Sequence, residues 1–184
     1  MSKERNLEEI IENKWIVEFN RKPFDNSKEF GFVLACNDDF TLIQILDNSW
    51  YQLDGYCIFK NESVKKFCVY DNDEYFLNEV VKLKKLEPTP VPQVSIDCWH
   101  TILQTVSDNF NLVGIESELI YKNKLYIGKL NKIGKKKFSL ITIDRVAEWD
   151  DLPYKFEFQH LTKVCFNSSY NKTLWDISES RKKK

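Results

Sequence analysis

The stretch FTLIQILD, Phe40 to Asp47, returns 98 positions further on as FSLITID, Phe138 to Asp144. Its β-branched and aromatic residues suit a strand, and their alternation sends neighbours to opposite faces of a half-buried sheet. A chain of this length that repeats a strand predicts two copies of one structural unit. The flanking residues agree. Gly31 precedes the first copy and Gly128 the second, at places where a sheet bends sharply or lets another backbone approach. Asp47 and Asp144 end the two strands, where an aspartate opening a turn hydrogen-bonds its own backbone.

Outward from the first copy, LEEIIENK places Leu7, Ile10 and Ile11 on one helical face, with Ser2 or Asn6 as a cap. WIVEF reads as a strand, RKPFDNSKE as a loop, and GFVLACNDDFTLIQILD as a hairpin turning at Asn37-Asp38-Asp39. YCIF and VKKFCVY supply two more strands, and EYFLNEVVKLKKL carries Phe76, Val80 and Leu83 at helical spacing. In LEPTPVPQ the alternating Pro88, Pro90 and Pro92 fix φ and withdraw backbone donors, which predicts a stiff, extended linker. Beyond it the order returns. Ile96, Trp99, Leu103 and Val106 mark a helix, followed by LVGIESE, a hairpin turning at Gly134-Lys135-Lys136, then YKFEF, TKVCFNSSY and a short helix TLWDIS. In this alignment Phe138 matches Phe40, Phe158 matches Ile58 and Val164 matches Val64. The expected fold class is mainly β with flanking helices, as a first unit over 1–87, a linker over 88–92 and a second unit over 93–184. The terminal RKKK reads as a disordered, solubilising tail.

Hydrophobic residues make up 42% of the 184 positions, enough for a packed core, and 30% are charged, which argues against a membrane protein. No apolar run nears the roughly 20 residues of a spanning helix, and the start of the chain lacks an apolar export signal. The expected location is therefore cytoplasmic. Cys36, Cys57, Cys68, Cys98 and Cys165 form no CxxC pair and sit in apolar or strand-like contexts. In such a protein they are expected to be reduced, buried thiols. Only His100, near Cys98, approaches ligand spacing, so no metal and no other cofactor is expected. Residues 1–92 carry 12 Lys and Arg against 17 Asp and Glu, net −5, and residues 93–184 carry 15 against 11, net +4. That asymmetry reads either as solvated surface or as an acidic and a basic face for different partners.

Catalytic groups are scarce. His160 as a base with Cys165 as a nucleophile lacks a third group to orient the pair, and no phosphate-loop, dinucleotide, zinc-protease or nucleophile-elbow motif is present. An enzyme is not expected. The loops DNSWYQLDGY and AEWDDLPY each set a tryptophan among acids. They nominate Trp50, Tyr51, Asp54, Trp149, Asp150 and Asp151 as contacts for a protein partner, possessing the aromatic anchors and polar rims that concentrate binding energy. The alternative for each tryptophan is to fold back over its own strands. A second candidate surface is the lysine-rich hairpin, Tyr126, Lys132, Lys135, Lys136, Lys137 and Phe138, whose cations and aromatics suit single-stranded RNA or DNA.

A helix followed by five short, bent antiparallel strands resembles the small-barrel group of Sm-like and SH3-like domains. The likeness is carried by Gly31-Phe32-Val33 and Gly128-Lys129-Leu130, the two hairpins, and the segments Ile58 to Val64 and Phe158 to Val164. It implies two pseudo-repeated small barrels. Sm-like proteins bind single-stranded RNA through a polar loop and an Arg-Gly pair. This chain has the acidic Asn37-Asp38-Asp39, Asp54-Gly55 and Leu152-Pro153-Tyr154 in the corresponding places. The expected function is thus a non-catalytic protein-binding or adaptor module with a basic partner, with nucleic-acid binding by the second unit as the alternative.

Overall fold

The computed structural model describes residues 7–25 and 28–182; the expected cap at Ser2 or Asn6 lies outside them. The chain order is α1 (Leu7–Glu12), β1 (Ile16–Asn20), β2 (Lys28–Cys36), β3 (Phe40–Asp47), β4 (Gln52–Lys60), a single helical turn (Asn61–Ser63), β5 (Lys66–Tyr70) and α2 (Phe76–Lys84). There follow α3 (Trp99–Asn109), β6 (Val113–Glu116), β7 (Leu125–Ile133), β8 (Lys137–Thr142), β9 (Tyr154–Glu157), a second helical turn (Phe158–His160), β10 (Lys163–Phe166) and α4 (Ser169–Lys182). Asn37 makes the first hairpin turn by accepting the backbone N–H groups of Asp39 and Phe40 at 3.0 and 2.7 Å. Residues 88–92 carry neither helix nor strand. Thr89 is nonetheless docked, its N–H donating to Gln44 Oε1 at 2.7 Å. The C-terminal helix is longer than TLWDIS and takes in Arg181 and Lys182 from the basic tail. Among the described residues no helix is long and apolar enough to cross a membrane.

Two separate small barrels are not what forms. The ten strands make one open antiparallel sheet in the order β5-β1-β2-β3-β4-β10-β6-β7-β8-β9. Tyr56, Cys57, Ile58 and Phe59 of β4 are buried side by side, as are Lys163, Val164 and Phe166 of β10. Strands apolar on both faces need cover on both faces; pairing closes their edges, and helices on either side of the sheet supply the cover. The seam ladder sets Lys163 opposite Phe59, Val164 opposite Ile58, Cys165 opposite Cys57 and Phe166 opposite Tyr56. Over it lies α3, whose Trp99, Ile102, Leu103 and Val106 pack on Leu34, Phe40, Leu42 and Ile58 from one half and on Ile115, Leu140 and Val164 from the other. On the opposite face α1 brings Ile10 onto Val17, Val33, Ile43 and Phe59.

Strand order and irregularities recur in the two halves. Each second strand shifts register once, between Val33 and Ala35 and between Leu130 and Lys132. At Gly31 an added Cβ would lie 2.3 Å from the carbonyl oxygen of Gln44, and at Gly128 2.2 Å from that of Ile141, so both positions exclude any side chain. Aligned on these glycines, however, the written echo is one residue out of step. Gly31 faces Ile45 and Cys36 faces Thr41, whereas Gly128 faces Thr142 and Ile133 faces Phe138. Phe138 therefore occupies the place of Thr41, not of Phe40, and a one-residue slip exchanges the faces of a strand. Likewise Phe156, opposite Phe138, stands where Phe59 stands opposite Thr41, so neither the Phe158 nor the Val164 match holds.

The cysteines also depart from expectation. Cys57 and Cys165 form a disulfide across the seam, leaving Cys36, Cys68 and Cys98 free. The bond joins residues that the ladder already places opposite each other, a proximity that spacing in sequence does not reveal. Thiol titration of the unfolded, unreduced protein should count three cysteines, and five after reduction; five before reduction would remove the cross-link. Because the bond closes a loop across a separation of 108 residues, reduction should lower stability by about 3–5 kcal/mol in denaturant titrations.

Candidate functional site

The turn between β3 and β4 is tightly braced. Asp47 Oδ1 accepts the backbone N–H of Ser49 at 2.7 Å and of Trp50 at 3.3 Å, and Tyr51 adopts a left-handed backbone with φ 49°. From α2, Lys84 Nζ donates to the carbonyls of both Trp50 and Tyr51 at 2.9 Å. The Tyr51 ring meets Phe76 edge-on at 5.8 Å. Yet the side chains on this frame are open to solvent: Trp50 is 72% exposed, Phe76 60% and Leu83 83%. Leu77 and Val81 on the other side of α2 pack on Ile16, Phe32 and Leu46. Asp54 serves a different purpose. Its carboxylate accepts the N–H of Ser169 at 2.6 Å, at the first turn of α4, where a negative group offsets the exposed amides.

The second tryptophan loop is not equivalent. Trp149 packs with Leu112, Ile127, Ile143, Leu174 and Trp175 and forms a bridge with Ile143. The Lys129 ammonium lies 4.0 Å from the Trp175 ring centroid and 5.5 Å from that of Trp149. Burial and the neighbouring Lys182 hold the Lys129 pKa below its ordinary value. Asp150 is tied to Thr142, its N–H donating to the Thr142 carbonyl at 2.9 Å and its carboxylate accepting the Thr142 hydroxyl. Of this loop's nominated contacts, Asp150 and Asp151 are exposed and Trp149 is half-buried. The difference comes from α4, which brings Leu174 and Trp175 over Trp149.

In the lysine-rich hairpin, Lys132, Lys135 and Lys136 are exposed. Lys137 pairs with Glu157 at 2.6 Å, and its hydrogen bond holds the Glu157 carboxyl below the usual range. The aromatics nominated with these lysines face the core. Phe138 is 3% exposed and stacks on Phe156 at 5.4 Å, and Tyr126 meets Phe156 edge-on at 5.1 Å. Phe138 therefore offers no face to a base. Cys165 lies in the disulfide, so the pairing of His160 with a Cys165 nucleophile falls away.

Sequence reading missed a buried cluster of charges beside the seam. Arg21, 1% exposed, lies with Nη2 2.9 Å from Glu118 and Nη1 3.7 Å from Glu116. Lys163 Nζ is 3.0 Å from Glu116 and also contacts Glu29, and the Thr162 hydroxyl donates to Glu118. Two cations thus meet three carboxylates contributed by both halves. Burial pushes the Glu116 pKa up, and the adjoining Glu118 adds to that against the pull of Lys163. Burial alone would lower the pKa of Lys163, but Glu29 and Glu116 outweigh it and hold the ammonium charged. The only sequence signal was a surplus of acids in E-S-E, residues 116–118; partnership with Arg21 is a tertiary fact. Among the described residues no group of three or more His, Cys, Asp or Glu is placed to hold a metal ion.

Comparison with protein-family models, with curated proteins and with solved structures found no match to this chain.

The cluster's chemistry separates its members. With its folded pKa raised above the ordinary carboxylate value, Glu116 contributes most below that ordinary value, and the contribution is lost as pH rises through the elevated one. Glu116→Gln should therefore be neutral or stabilising at pH 7 to 8, whereas Glu118→Gln, which weakens the closest partner of a buried guanidinium, should cost about 3 kcal/mol or more. Urea unfolding at two pH values checks both signs; equal losses in the two variants would contradict them.

Proposed function

We propose that the chain is a non-catalytic binding protein that docks a basic protein partner on the patch formed by Trp50, Tyr51 and Phe76. One observation carries this reading: the most exposed tryptophan neighbourhood stands on a turn held by Asp47 and Lys84. A large apolar side chain displayed on a rigid frame loses little freedom on binding, which is the character of an interface anchor. Its surroundings add charge. Glu74 is exposed in the loop that leads into α2, where Asp73 pairs with Lys82, and the half as a whole carries net charge −5, a field that favours a positively charged partner. Trp149, Asp150 and Asp54 are engaged in internal packing and hydrogen bonds, so they are structural supports in this account.

The two halves are further read as copies of one five-stranded unit. The common strand order, the shared register shift and the two glycine contacts support that reading. Only the first copy leaves its tryptophan turn uncovered, which gives the protein one anchor of this kind.

Affinity capture followed by direct titration of the captured protein tests the assignment. Trp50→Ala with Phe76→Ala should weaken the partner by about 2 kcal/mol or more, roughly thirtyfold, while changing stability by no more than about 0.5 kcal/mol. Trp149→Ala should do the reverse, lowering stability and sparing affinity. Unchanged affinity in the Trp50 variant would contradict the site. Salt-sensitive binding of single-stranded oligonucleotides, abolished by neutralising Lys132, Lys135 and Lys136, would favour the competing nucleic-acid reading.

A further inference from the structure

We infer that the groove between α4 and the segment 109–112 binds a neutral saccharide. This cavity of about 440 Å3 lies beside the β4–β10 seam, where its lining residue Phe110 packs with Tyr56 and Phe166, and its size falls in the range of small-molecule sites, roughly 300–1,000 Å3. Asn171, Lys172, Trp175 and Asp176 share one side of α4 by their spacing; Asn111 and Asn167 add to the polar lining, as does Asn109, whose amide is already donated to the Gln93 and Thr105 carbonyls.

The lining carries unmet hydrogen-bonding capacity. Asn171 is only 6% exposed, and among the described residues its side-chain amide makes no hydrogen bond; only its backbone N–H does, to Ser168 Oγ at 3.1 Å. Its amide is not sealed from solvent, so the little of this residue that is exposed opens into the groove, where water or a ligand satisfies it. The side chains of Asn111 and Asn167 likewise make none among the described residues, and Asn167 is fixed by a left-handed backbone with φ 60°. Each amide offers a carbonyl acceptor beside an NH2 donor. Vicinal hydroxyls, which donate and accept from adjacent carbons, match that pairing. Lys172 and Asp176 cancel, so the groove favours a neutral ligand over a phosphorylated one. Trp175 supplies an apolar wall for the C–H face of a sugar ring, and Lys129 already occupies part of the indole.

The test is a titration of the isotope-labelled full chain, followed by the Trp175 indole and Asn side-chain amide resonances. The probes are glucose, galactose, mannose, N-acetylglucosamine and their β-linked disaccharides, with adenosine in a separate arm. At least one saccharide should shift these resonances saturably, with a dissociation constant on the order of millimolar, as expected for so small a ligand. Asn111→Ala and Asp176→Ala, both at exposed positions, should weaken binding about tenfold or more while leaving the rest of the spectrum unchanged. Asn171→Ala probes the buried amide, but it is interpreted only where the spectrum shows the fold intact. No saturable shift with any saccharide, shifts indifferent to Asn111→Ala and Asp176→Ala, or binding of adenosine alone would each overturn the proposal.

Discussion

The pairing of β4 with β10 is the interaction on which the rest of the structure depends. Without it each half would present a strand with buried-type residues to water on an open edge. With it, the two halves share one sheet, one helix layer over Ile58 and Val164, and a covalent bond between Cys57 and Cys165. The charges beside it follow from the same constraint. Arg21 comes from the loop after β1 and Glu118 from the loop after β6, and only the seam brings those two loops together. A charge so buried must be paired or neutralised, so the cluster also selects against a shifted seam: moving β10 by one residue would remove Lys163 from Glu29 and Glu116.

That seam cannot simply be repeated with another copy of the chain. At the ladder positions where β4 presents Cys57 and Ile58, the free edge β9 presents Tyr154 and Lys155, both exposed, with Pro153 just before them. A short strand, a lysine and a proline are features that blunt an edge against further pairing. At the other edge β5 begins with Lys66. The sheet thus stops at ten strands for reasons visible in its terminal residues.

Much of the local structure was legible in the sequence because it rests on local chemistry. The Asn37 turn, the strands β3 and β8, the helical spacing of Trp99, Leu103 and Val106, and the glycines at 31 and 128 each follow from a few neighbouring residues, although β3 is buried on both faces from Phe40 to Gln44 rather than on alternate residues. Three things did not. Whether each half would close into its own barrel or pair edge to edge depends on residues 108 apart in the chain, and single-strand patterns carry no partner information. The alignment by lettering set Phe138 on Phe40, yet the two hairpin turns are of equal length, Cys36 facing Thr41 as Ile133 faces Phe138, so the ladder places Phe138 on Thr41. And the two tryptophan loops looked alike because nothing in the loops themselves shows that α4 lays Leu174 and Trp175 over Trp149, whereas α2, which follows β5 as α4 follows β10, braces the Trp50 turn through Lys84 without covering the indole. Trp50 and Tyr51 of the proposed protein-binding surface could therefore be read from the sequence, and Phe76, which completes it, was visible there only as a helix residue.

Native-state hydrogen exchange in increasing denaturant tests most directly whether the seam makes the two halves one cooperative unit. The amides of β1 to β4 and those of β6 to β8 should converge on a single opening free energy, with β4 and β10 among the slowest to exchange. If the amides of one half merged into an isotherm of lower free energy while the other half stayed protected, the halves would be independent and the seam would not be the organising interaction.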